Sequence, residues 1–413
     1  MNKNIKLAVA GAVLALSASA NAGIIIPAGE WTLDINGNVN AFGTVVKGKG
    51  ANTSAATVGG LATAGQAHEN QSSGINTGLL PSWLGFTGKT RQNDVDVEFT
   101  ISLQPNVSDN SGAGDAKTPL NRQAYVSFGD KSWGSIKLGK DLGIFAADAI
   151  LNDMTLLGVG AMGGGAASGS STTLGGIGTG YIYAAWKGQI AYTTPNFNGF
   201  QATVGITNPN QGFGQNTVYG TSATAGDATT NIYQDRFGLE GKASYSFSAD
   251  ALTGKIWVSG ASYDVTSATT ASIAGSSYTV TVADLGANLN AGNFGVTGYY
   301  YSGEGAGTTI LGSLGVDANG LKRDSDGGYL QATYVLPTKT KLGLAYGISN
   351  LDRSTSTDVS TIIKSNERVT IGLYHPLTKH LNLVAEYNDI ESKVHNGTKG
   401  ESQAGSLGAI LFF

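Results

Sequence analysis

Between Val95 and Leu103 the chain reads VDVEFTISL: Val95, Val97, Phe99, Ile101 and Leu103 share one parity, and Asp96, Glu98, Thr100 and Ser102 the other, with Asp94 just ahead. Strict alternation describes a strand with one face on an apolar medium and one in water. The pattern recurs along the chain. Phe200, Ala202, Val204 and Ile206 alternate with polar neighbours, as do Phe237, Leu239, Ala243, Tyr245 and Phe247, and Leu381, Leu383, Ala385 and Tyr387. Leu342, Leu344, Tyr346 and Ile348 alternate with Lys341, Gly343, Ala345 and Gly347, which leaves that inner wall bare, and around Trp257 both faces look mixed.

The connections between these strands alternate as well. Seven are short, such as Arg91–Asn93, Asp130–Ser132 and Pro337–Lys339; eight are long, from Lys47–Pro81 and Pro105–Leu120 to Ser392–Gly400. Sixteen antiparallel strands result. Short turns at one end and long loops at the other are the habit of outer-membrane barrels, whereas a soluble sandwich has no reason to keep that asymmetry. The expected fold is therefore all-β: a transmembrane antiparallel β-barrel whose apolar faces meet lipid. Its last strand, ending LGAILFF, would pair with its first, Trp31–Val46, and so remove both sheet edges.

Composition agrees. Charged residues are 13% of the chain, about half the usual share, Gly is abundant at 61, and there is no cysteine. Residues 1–22, with Lys3 and Lys6, an apolar run and Ala20-Asn21-Ala22, have the form of a cleaved export signal, which leaves 23–413 as the barrel. Beyond it no apolar run reaches the ~20 residues of a membrane helix. Without Lys3 and Lys6 there are 23 bases against 29 acids, a formal charge of −6, which gives no footing for nucleic acid.

One connection stands out. Asp141–Gly180 spans forty residues between strand-like GSIKLGK and IAYTTPNFNGF and contains no Lys or Arg. Loops of that length are usually functional or disordered. Its first half is too apolar for a solvated linker and its second too Gly-rich for a core, so it is expected to fold into the lumen and narrow it.

Four places carry a family resemblance: SWLGFTGK (Ser82–Lys89), RQAYVSFGDKSWGSIKLGK (Arg122–Lys140), IAYTTPNFNGF (Ile190–Phe200) and the terminal Phe413. With these the chain resembles the general porins of Gram-negative outer membranes, particularly their β-proteobacterial branch. The resemblance implies a homotrimer of 16-stranded barrels in outer-membrane lipid, each with its third long loop folded inward as the constriction. Against the family pattern, Trp83 stands where an Arg is common, Lys140 replaces the Arg of L-G-R, and Ala147-Asp148-Ala149 and Leu151-Asn152-Asp153 replace a proline-and-carboxylate stretch. Of the family's arginine ladder, Arg122 is matched.

By parity the lumen-facing acids are Asp34, Asp94, Asp96, Glu98, Glu240, Asp284 and Glu386, and the bases Lys137, Lys187, Arg236, Lys242 and Arg368, with Arg122 added from the motif. Opposed charges across a narrow pore orient water, and rings of one sign select ions. For any single residue the plainer reading is solvation of a wet wall. On the inserted loop Asp141, Asp148 and Asp153 meet no base of the loop's own, which favours a weak preference for cations. His375 and His380 flank a turn with no third ligand nearby, and a straight strand such as Asp94–Glu98 cannot wrap a calcium ion. No nucleophile elbow or phosphate loop is present, so no cofactor, metal or catalytic residue is expected. The function expected is passive diffusion of small hydrophilic solutes and ions. The rivals are a porin with a preferred solute bound at the third loop, a structural or adhesive barrel, and, more distantly, an outer-membrane hydrolase.

Overall fold

The computed structural model describes residues 23–50, 58–63, 70–105, 107, 120–162, 172–208, 232–233, 236–267, 277–317 and 319–413. The export-signal reading of residues 1–22 therefore lies outside the described residues. Among the described residues nineteen strands form one antiparallel sheet. They are β1 (Ile24–Ala28), β2 (Trp31–Gly50), β3 (Gln71–Asn76), β4 (Trp83–Gln92), β5 (Val95–Gln104), β6 (Leu120–Asp130), β7 (Gly134–Leu142), β8 (Trp186–Thr193), β9 (Phe200–Thr207), β10 (Ile232–Tyr233), β11 (Gly238–Ala249), β12 (Leu252–Ser267), β13 (Ser277–Ala291), β14 (Phe294–Glu304), β15 (Asp324–Val335), β16 (Lys341–Leu351), β17 (Ile363–Pro376), β18 (Leu381–Val394) and β19 (Lys399–Phe412).

Sixteen of these, all but β1, β3 and β10, make the wall, each hydrogen-bonded to the next around a closed ring. Closure is the pairing of β19 with β2, from Gly400↔Gly50 to Phe412↔Asn38. It finishes on Gly37, whose N–H and C=O exchange hydrogen bonds with the carbonyl and N–H of Phe413 at 2.8 and 3.1 Å. Below that point β1 takes the place of β19 beside β2, from Ile24↔Ile35 to Ala28↔Trp31. A ring without edges satisfies every ladder group internally, the condition for crossing hydrocarbon with strands.

The apolar parity points outward and stays exposed, as at Ile101, Val204, Leu285, Ile371 and Leu407. Rings gather near the short turns, where Phe294 and Tyr334 lie 4.5 Å apart and Phe128 faces Trp133. An aromatic girdle belongs at that interface. Trp257, which blurred the alternation of β12, faces inward and covers Gly286, where a Cβ would come within 2.2 Å of the indole.

Several expected boundaries shift. The Asn93–Asp94 turn has positive φ at both residues (50° and 61°), so Asp94 sits on a tight hairpin rather than on the strand wall. Asp141 and Leu142 belong to β7, with Asp141 opposite Lys187, so the long connection runs from 143 to 185. Ser392–Gly400, read as a long loop, is a tight hairpin at 395–398, because β18 and β19 keep pairing to Lys393↔Lys399. The connection after β2 is broken by β3, which pairs with the upper part of β2 before Thr77–Ser82 leads into β4.

The buried apolar cluster is not on the lipid face. Phe145, Ile150, Leu156, Val159 and Ile182 pack with Leu61, Leu79 and Leu80, and with Trp257, Tyr299 and Tyr329 from the inner wall.

Candidate pore-lining site

Residues 143–185 leave the wall between β7 and β8 and return at the same place, where the Gly143 N–H bonds the Ala185 carbonyl at 2.8 Å. The apolar run AADAILN, expected to be too hydrophobic for solvent, forms the short helix α1 (Ala147–Asn152), followed by a tight turn over Met154–Leu157. Around the chain from there, the wall supplies acceptors and donors to the segment's backbone. The Glu240 carboxylate accepts the N–H groups of Ile144 and Phe145 (2.7 and 2.9 Å), and Ser259 Oγ that of Ala146 at 3.3 Å. Tyr329 donates its hydroxyl to the Ala149 carbonyl at 2.8 Å. Gln331 donates to the Asn152 carbonyl and accepts from the Met154 N–H. The Glu386 carboxylate accepts the N–H groups of Val159 and Gly160, and Ser349 Oγ that of Gly180. All these partners are on the inward parity, on β11, β12, β15, β16 and β18. Hydrogen bonds to a charged group contribute about 1.5–3 kcal/mol each, and removing such an acceptor strands buried amides.

The bare inner wall of β16 has its explanation here. A Cβ on Gly347 would meet the Thr179 carbonyl oxygen at 2.1 Å, and one on Gly343 would meet Met154 Sδ at 2.6 Å. The glycines are a seat for the segment.

The two carboxylates of the segment, Asp148 and Asp153, each meet a base of the wall. Asp148, on α1, is held by Lys242 at 3.0 Å and by Lys255, a residue the parity argument missed because the strand around Trp257 looked mixed. Burial alone would raise the Asp148 carboxyl, but the two ammonium groups outweigh it and hold it below its ordinary range. Asp153 works within the segment, accepting from the Thr155 and Gly176 N–H groups and the Tyr181 hydroxyl, with Arg368 3.8 Å away. Arg368 also donates to Thr179 Oγ1 and Thr370 Oγ1. Asp141 pairs with Lys137, and Lys187 with Glu240, the latter pair out of water. Nearer the short turns, Asp96 and Asp130 share Arg91, and Glu98 lies 3.2 Å from Lys89. Arg91, at an expected turn, belongs instead to β4. These residues border a cavity of about 850 Å³ at that end. Arg236 precedes β11, is exposed, and pairs with Asp264 at 2.9 Å.

Arg122 is different. Counted along β6 it shares a parity with Ala124 and Val126, the lipid side, where an arginine costs ~2–4 kcal/mol near mid-membrane. The ladder with β5 slips between Ser102 and Leu103, so Arg122 is the extra residue of a bulge. A bulge re-aims a side chain, and this one turns Arg122 inward. Its guanidinium carbon lies 4.4 Å from the Trp83 ring centroid and 4.2 Å from that of Trp186. Two such contacts on a desolvated cation contribute roughly 1–2 kcal/mol each. Trp186, unnoticed in the sequence, is the first residue of β8.

The ring of sixteen strands, apolar toward lipid and with its charged side chains on the inward parity, defines the class: an outer-membrane β-barrel channel. The model of the Gram-negative porin family matches residues 7–395, and the chain belongs to that family. Its members are channels rather than enzymes. Among solved structures, the outer membrane channel DcaP of Acinetobacter baumannii is 16% identical with a TM-score of 0.67, over 95% of this chain and 100% of that one. The anion-selective porin from Comamonas acidovorans is 16% identical, TM-score 0.59, covering 93% and 100%. Salmonella typhi OmpF, in complex with daunomycin, is 12% identical, TM-score 0.56, covering 94% and 100%. At these identities the likeness is one of fold. No curated protein sequence matches the chain.

Proposed function

We propose that the protein is a passive diffusion channel for small hydrophilic solutes and ions, in which residues 143–185 form the constriction. The observation that carries this reading is the set of buried bonds from Glu240, Gln331, Ser349 and Glu386 to the backbone of one segment, all made from the inward parity. A segment so held narrows the lumen permanently and leaves polar wall beside it. Lys137, Lys242 and Lys255, partly exposed, line the water that remains.

Selectivity on this reading is weak. The segment's acids are matched by wall bases, which reduces the field expected from Asp148 and Asp153 alone. Asp284 and Glu386 have no ion-pair partner among the described residues, while Arg122 is covered by indoles. The remaining sign favours cations, and the preference fades as salt shortens the field.

The oligomer on this reading is a trimer. Ala41, Gly43 and Ala409, small and outward-facing, lie together where β2 meets β19 and let another wall approach closely. A Vibrio cholerae outer membrane protein of this fold, OmpT, is described in a trimer form. Light scattering in mild detergent, with the detergent subtracted, tests this, and a monodisperse monomer would contradict it. Planar-bilayer conductance tests the channel itself. A current that a single solute blocks at low concentration would favour the solute-preferring alternative.

A further inference from the structure

Arg122 lies where two of the pieces of chain that enter the apolar cluster inside the ring meet. Trp83 immediately follows Thr77–Ser82, from which Leu79 and Leu80 pack on the cluster and the Leu79 N–H bonds the Gly158 carbonyl at 2.9 Å. Trp186 immediately follows residue 185, where the longer segment returns to the wall. The guanidinium stacks on both indoles. From its edge a hydrogen-bond relay runs to the other root of the segment: Arg122 Nη1 donates to Gln123 Oε1 at 3.0 Å, and Gln123 Nε2 donates to Asp141 Oδ1 at 2.9 Å, two residues before Gly143. Arg122 is 8% exposed, and its Nε meets no acceptor among the described residues. A cation offered to permeating anions would present its edge to water; this one is covered on both faces.

We propose that Arg122, clamped between Trp83 and Trp186, is a positioning residue that fixes the root of the 143–185 segment and contributes little as a pore cation. The chain thereby uses Trp83, at a place where an arginine would add charge, to take a neighbouring charge out of the pore. The clamp rests on the reading of 143–185 as the constriction, so one of its tests needs no current.

That test is hydrogen exchange of the folded, detergent-solubilised protein. Arg122→Gln, and Arg122→Lys, which keeps the charge but loses the planar stack, should both speed exchange severalfold at the amides of 143–160 and 78–80, while the β12–β14 ladder stays protected. Unchanged exchange in both variants overturns the proposal. In bilayers, Arg122→Gln should leave the reversal potential where it is, whereas Trp186→Leu, which uncovers the guanidinium, should move it toward anions. A shift toward cations in Arg122→Gln with unchanged exchange would make Arg122 an ordinary pore cation and likewise overturn the claim. If the glutamine variant does not fold, Trp186→Phe, with a weaker π face, should speed exchange in the same peptides by a smaller factor; no change there is equally fatal. A silent wild-type protein would defeat the channel reading and leave the exchange result to judge the clamp.

Discussion

Glu386 and Gly160 are 226 residues apart in the chain and 2.8 Å apart in space, carboxylate oxygen to amide nitrogen. The same oxygen accepts the Val159 N–H, and the other takes the Tyr374 hydroxyl at 2.8 Å. One side chain of β18 thus holds the middle of a segment rooted between β7 and β8.

Glu386→Ala should therefore strand two buried amides, at ~1–3 kcal/mol each, and loosen the segment without opening the barrel. The expected outcome is a larger or noisier single-channel conductance, with the folded band on unheated gels unchanged. Glu386→Gln retains an acceptor and should lie between wild type and alanine.

Gly347→Ala tests the seat from the other side. The added Cβ would meet backbone, the Thr179 carbonyl oxygen, rather than a flexible side chain. Overpacking of this kind costs ~1–3 kcal/mol, and the segment, held by fewer bonds than a strand, is what should move. Cross-linking yield between cysteines placed at Thr179 and Ser349 should fall, whereas equal yield would mean that the seat tolerates the methyl group.

Much of this was legible in advance. Strand parity, short turns and closure through LGAILFF all follow from a period of two, which survives in the sequence wherever one face meets lipid. What failed had local causes. A bulge gives Arg122 the lipid-side parity, so that its motif and not the alternation places it inward; an inward tryptophan over Gly286 hid Lys255, and continued pairing erased the loop expected at Ser392–Gly400. The bare glycines of β16 were visible, but their partner, distant in sequence, was not. Asp153 could be placed on the segment but not seen to serve its interior, since the Tyr181 and Gly176 contacts depend on its fold.

Asp148→Asn should shift the reversal potential toward anions at low salt without closing the pore. It removes the one carboxylate shared by Lys242 and Lys255, whose ammonium groups are partly exposed. One charge at ~5 Å and an effective dielectric of roughly 20–80 is worth about 1–3 kcal/mol, enough for a severalfold change in permeability ratio. Asp153→Asn, by contrast, should act on segment stability more than on selectivity. Equal reversal potentials for wild type and Asp148→Asn would remove α1 from the account of selectivity.

The outer loops carry a pH dependence of their own. Asp358 receives a two-pronged bond from Arg323, 2.7 Å to each oxygen, and the N–H groups of Ser354 and Val359. Burial would raise its carboxyl, but these donors outweigh it and hold it down at about 2. A folded value below the unfolded one means the contribution is fully present above pH ~4 and is lost as pH falls through about 2. Exchange in 352–362, corrected for its intrinsic pH dependence, should stay slow down to pH ~4 and quicken below it. Asp358→Asn should be fast already at neutral pH.

At the seam, a Cβ on Gly37 would lie 2.1 Å from the Trp83 carbonyl oxygen and 2.9 Å from the Phe413 ring, at the point where the ring of strands closes. Gly37→Val should lower the yield of heat-modifiable barrel. Phe413→Ala should do the same more mildly by removing the aromatic anchor of the closing strand. Equal yields would show that closure does not depend on this contact.

The central claim is that the folded ring conducts passively past a fixed, narrow constriction, and single-channel recording in a planar bilayer under a salt gradient addresses it most directly. The account predicts discrete, ohmic steps that grow with salt, a small reversal potential on the cation side that shrinks as salt rises, and larger or noisier steps in Glu386→Ala. Folded protein that gives no steps, or steps whose size and noise both ignore the loss of Glu386, would contradict it.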